Sequence, residues 1–83
     1  MNNMMIYVMN MPKFFSIVDE CREPVLVGSE DGKDVQDLRN NKVLQGILSI
    51  AHEDQKATKI QIATNEDSDT MKMLDFMISG DGE

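Results

Sequence analysis

The residues able to do chemistry in this chain are few and stand apart from one another. His52 is the only imidazole, and Glu53 and Asp54 follow it directly. It lies in an apolar-striped stretch, VLQGILSIAHEDQ over residues 43–55, where a positive charge suits the C-terminal end of a helix. The plain reading is an exposed capping or solubilising histidine. The sharper alternatives are a phosphoryl acceptor or a metal ligand, but one histidine among scattered carboxylates lacks the spacing of a strong metal site. Cys21 is the lone thiol, on the apolar side of a helical pattern with no basic cluster beside it. It reads as buried and inert. Glu66-Asp-Ser-Asp69 lacks the loop length and oxygen pattern of a calcium loop and reads as an acidic helix cap. Ser16, Ser29 and Ser49 have no assigned base. The sequence shows no nucleophile–base pair and no glycine-rich phosphate cradle. The expectation is a non-enzymatic protein with no catalytic residue, no metal site and no cofactor.

Composition narrows the partner. The chain has 83 residues and a net charge of −7, so one domain over residues 1–79 with a short frayed tail at 80–83 is expected. Clustered Lys and Arg are missing, which argues against nucleic acid. The acidity suits contact with a basic or apolar protein surface. A single cysteine excludes an internal disulfide and points to a reducing compartment. The longest apolar run, Met4–Met9, is too short to cross a bilayer, and no secretory signal is evident. A bacterial cytoplasmic setting without membrane attachment is expected. Eight methionines suit either irregular core filling or an adaptable contact surface.

The elements that must position these residues follow from periodicity and punctuation. Met4–Met9 predicts a buried strand. Asn10 as cap and Pro12 in the first turn open a helix from about Met11 to Arg22, with Phe14, Ile17, Val18 and Cys21 on one face. Pro24–Gly28 predicts a second strand, Ser29–Gly32 a hairpin turn and Lys33–Leu38 the returning strand. Asn40 and Asn41 cap a helix from Lys42 to about His52, with Val43, Ile47, Ile50 and Ala51 as its core stripe and Leu44 and Leu48 to one side. Lys56–Thr64 alternates, with Ile60 and Ile62 inward. A last helix over about Thr70–Ser79 would bury Met71, Leu74, Met77 and Ile78. The order βαββαβα implies a two-layer α+β open-faced sandwich, a four-stranded antiparallel sheet with helices on one face.

Three features resemble the HPr family, the phosphocarrier proteins of the bacterial sugar phosphotransferase system. They are the βαββαβα order at about that length, Glu30-Asp-Gly-Lys33 at the central hairpin, and Gly46-Ile-Leu-Ser-Ile-Ala51, which is similar to the family's Gly-Leu-Met-Ser-Leu-Ala helix. The likeness spans nearly the whole chain. The family's phosphorylated histidine lies in Gly-Leu-His-Ala-Arg-Pro at the start of the first helix. Pro12 matches that proline, but Val8-Met-Asn-Met11 precedes it. Aligned without gaps, Met9 stands for the histidine and Met11 for the arginine; a deleted loop, with the strand running straight into the helix, is the physically simpler alternative. Val43 occupies the place of the family's regulatory serine, and the connection at Leu38–Asn41 is longer than the family's.

The resemblance implies a protein-interaction or regulatory module that cannot carry phosphate on the usual histidine. It also implies a partner-binding face at Met9, Met11, Leu44, Gln45 and Leu48, presented to a phosphotransferase enzyme or a regulator. The competing readings are a core stripe that is simply wide, a divergent phosphocarrier using His52, and an unrelated α+β regulatory or dimerisation domain whose apolar face mediates self-association.

Overall fold

A computed structural model describes residues 2–28 and 35–78. Among them the elements run β1 (Asn2–Val8), α1 (Met11–Glu20), β2 (Val25–Gly28), β3 (Val35–Asp37), α2 (Lys42–His52), β4 (Thr58–Thr64) and α3 (Asp67–Ile78). The expected hairpin turn at Ser29–Gly32, the first residues of the returning strand, Ser79 and the tail at 80–83 lie outside the described residues. The strands form one antiparallel sheet in the order β1-β4-β2-β3.

Strand register decides what faces inward. Met4 lies opposite Ile62, Ile6 opposite Ile60 and Val8 opposite Thr58, while Val25 and Val27 lie opposite Thr64 and Ile62. Paired residues of an antiparallel ladder share a face, so these side chains form one inner surface. Phe14 and Val18 of α1 and Met73 and Phe76 of α3 complete the core with them, joined by Met11, Cys21 and Leu38. The other face of the sheet carries Met5, Tyr7 and Val35, all exposed. The result is the two-layer α+β arrangement expected from the element order.

The helix boundaries have local causes. Asn10 caps α1 by accepting the Lys13 N–H at 3.2 Å. The helix stops at Glu20, short of the expected Arg22, with Cys21 already extended. Pro24 disfavours helical backbone before it, and the Arg22 and Glu23 N–H groups donate instead to the Asp69 carboxylate, each at 3.0 Å. Asn40 sits at φ 53°, a left-handed conformation that asparagine tolerates. Asn41 then caps α2 through the Leu44 N–H at 3.1 Å. α3 begins at Asp67, earlier than the expected Thr70, because the Glu66 carboxylate accepts from the N–H and hydroxyl of Ser68.

Two expected core stripes are corrected. On α2, Val43, Ile47, Ile50 and Ala51 face outward, and Leu44 and Leu48 pack against the core. On α3, Met71, Leu74 and Ile78 are exposed, whereas Asp69, Met73 and Phe76 are buried; of the expected set only Met77 packs on the core. In both helices a buried polar side chain sets the rotation, Gln45 in α2 and Asp69 in α3.

Candidate functional site

The face of α2 turned to solvent follows from the anchoring of the opposite flank. Gln45 is 6% exposed. Its amide nitrogen donates to the Leu38 carbonyl and to the Asp19 carboxylate, both at 3.0 Å. Asp19 also accepts the Asn40 N–H at 2.7 Å, so one carboxylate on α1 fastens both the approach to α2 and its second turn. Leu44 and Leu48 flank Gln45 on the same side of the helix and pack on the core beneath. Val43, Ile47 and Ile50 are thereby forced outward, at 76%, 57% and 70% exposed. Their spacing of four and three residues aligns them in one apolar ridge.

The five residues expected to form a partner face are not presented together. Met9 is exposed; Met11 belongs to the core; Gln45 is buried; Leu44 and Leu48 are half-buried. The wider-stripe alternative describes Leu44 and Leu48 better, except that the part of the stripe expected to be buried is the part left in water. The sequence contained the signal for a second apolar face on α2. It did not show which face the fold would keep.

β1 passes into α1 with Met9 and Asn10 alone between them. His52 reaches this junction from the far end of α2. Its Nε2 lies 3.1 Å from the Met9 carbonyl oxygen and its Nδ1 lies 2.7 Å from Thr58 Oγ1. A carbonyl only accepts, so Nε2 carries the hydrogen. In the neutral ring Nδ1 then accepts from the Thr58 hydroxyl. The half-buried imidazole therefore ties the end of α2 to the start of β4 and to the front of α1. It is not the freely exposed capping histidine expected from its position. It also brings a hydroxyl beside an imidazole, a pair invisible in the sequence because Thr58 carried no mark to single it out.

The other polar groups secure connections. Asp37 forms a two-pronged ion pair with Arg39, with Nε at 3.1 Å and Nη2 at 2.9 Å from Oδ2, and accepts the N–H groups of Val25 and Arg39. Burial pushes its pKa up, but these donors outweigh that and hold the carboxyl below its usual value. Burial, aided by the Asp69 charge, raises the Cys21 thiol to about 11. The thiol donates to the Ile17 carbonyl, which fits the inert core cysteine expected. The acidic segment before α3 divides its roles: Glu66 caps the helix, and Asp69 points inward to the amides of Arg22 and Glu23. No helix among the described residues is long and apolar enough to cross a membrane. In comparisons with protein-family models, curated proteins and solved structures, nothing matches the chain.

Proposed function

We propose that this chain is a small non-enzymatic binding module of HPr-like architecture that engages a protein partner through the outer ridge of α2. The exposure of Val43, Ile47 and Ile50 carries the reading. Each aliphatic side chain left in water forgoes roughly 2 kcal/mol of burial. Three in register on a helix whose other flank is firmly anchored form a surface suited to a partner groove. The net charge of −7 favours a groove with a basic rim. The partner class implied by the resemblance is an enzyme or regulator of the phosphotransferase system. The direct passage of β1 into α1 supports loss of the family's phosphate-carrying loop, since neither Met9 nor Asn10 offers a nucleophilic nitrogen.

The test is a titration of isotope-labelled protein with the phosphotransferase enzyme that charges HPr, followed by nuclear magnetic resonance. The amides of Val43, Ile47 and Ile50 are expected to shift. An Ile47→Lys/Ile50→Lys variant is expected to lose binding while its stability changes by only about 0.5 kcal/mol, because both side chains are exposed. Undisturbed α2 resonances at saturating enzyme would defeat the proposal.

One observation favours a second reading, that His52 is a divergent phosphoryl acceptor: its ring stands at the front of α1. Both ring nitrogens are engaged, so Nδ1 would first have to release the Thr58 hydroxyl. Incubation with the charging enzyme and labelled phosphoenolpyruvate separates the two. No stable label is expected on the wild-type chain, whereas label that disappears in His52→Ala would establish the second reading.

A further inference from the structure

The outer edge of β1 is built unlike the opposite edge of the sheet. Among the described residues β1 is paired on one side alone, to β4. Among the described residues no other backbone group bonds to residues 2–8. Every second residue of an edge strand turns its N–H and C=O away from its neighbour, and such open groups are a template for another strand. Natural edges are usually shortened, charged or interrupted by proline. β3, at the other edge, covers three of the described residues and ends at Asp37. β1 spans seven residues, NNMMIYV, without a charge or a proline.

A second observation lies beside it. Asn2 of β1 donates through its amide nitrogen to Thr70 Oγ1 at 3.0 Å and to Asp67 Oδ1 at 3.5 Å, so the first turn of α3 stands over the start of β1. Leu74, four residues on from Thr70, lies toward the same side of α3 and is exposed.

We propose that β1 pairs antiparallel with β1 of a second copy of this chain, joining two sheets into one of eight strands. The strand fits itself. With Met5 on the two-fold axis, Met4 faces Ile6, Asn3 faces Tyr7 and Asn2 faces Val8, each pair on one face of the sheet. No like charges meet across this pairing. A two-fold contact satisfies the same open backbone groups on both copies. An uncharged strand offers a basic peptide no complementary charge, which favours a copy as the occupant. The surface is separate from the α2 ridge, so either interaction can fail without the other.

The test is light scattering of the full chain over a dilution series at low and high salt. A dimer is expected, and salt is expected to strengthen it by screening the repulsion between two acidic copies. Met5 and Tyr7 are exposed, so Met5→Lys/Tyr7→Lys is expected to keep the wild-type circular dichroism spectrum and weaken association by about tenfold or more. Ile47→Lys/Ile50→Lys is expected to leave the dimer intact. A monomer at every concentration and salt overturns the proposal. So does a dimer indifferent to the β1 substitutions, or one lost on substitution of α2.

Discussion

Asp69→Ala is expected to destabilise the protein by about 3 kcal/mol, the scale of removing a buried charged acceptor from its donors. The Asp69 side chain is fully buried. Its two oxygens accept the Arg22 and Glu23 N–H groups, each at 3.0 Å, and Lys72 Nζ lies 3.7 Å away. The carboxylate thus holds the turn between α1 and β2 against α3, and truncation leaves two amides unpaired beside a void. Asn in its place keeps the volume and one acceptor, so Asp69→Asn is expected to cost less than Asp69→Ala. Burial pushes the Asp69 pKa up, but the two amides, followed by Lys72 and Arg22, outweigh it and hold the carboxyl below its ordinary value. A carboxyl with a depressed folded pKa contributes stability that is complete above its unfolded value, about 3.9, and is lost as pH falls through the folded value. Wild-type stability is therefore expected to decline below roughly pH 4, with less of a decline in Asp69→Ala. Urea unfolding across pH measures both. A cost under about 1 kcal/mol would show that water satisfies the two amides.

Phe76→Ala is expected to remove about 4 kcal/mol, the usual cost of emptying a buried aromatic site. In a domain this small that is a large share of the total stability. Phe76 meets Phe14 with ring centroids 5.7 Å apart at 45°, a tilted pair that adds to simple burial. These rings join α3 to α1 above the sheet. Met71→Ala on the exposed side of the same helix is expected to stay within about 0.5 kcal/mol of wild type. The contrast reports the rotation of α3: if the Met71 substitution were the costly one, the helix would be turned as its apolar periodicity suggests. Thermal or urea unfolding of the two variants decides it.

Among the described residues, the type and order of the elements were legible from the sequence alone, though the ends of α1 and α3 were not. Asn10 with Pro12, and Asn41 before Lys42, mark helix starts by satisfying local amides. The alternation over Lys56–Thr64, with Ile60 and Ile62 inward, marks a half-buried strand, and the order of elements leaves few ways to cover one face of a sheet. These features depend on neighbours within a turn or a strand. The rotations of α2 and α3 do not. Apolar spacing on α2 allowed two faces, and Gln45 chose between them by reaching Leu38 and Asp19. Apolar spacing on α3 favoured Met71, Leu74 and Ile78, yet Asp69 turned the helix inward because its amide partners lie 46 and 47 positions earlier in the chain. The same reason hid the place of His52 at Met9 and Thr58. A polar side chain is costly to bury until donors or acceptors are brought to it, and only the folded chain brings them.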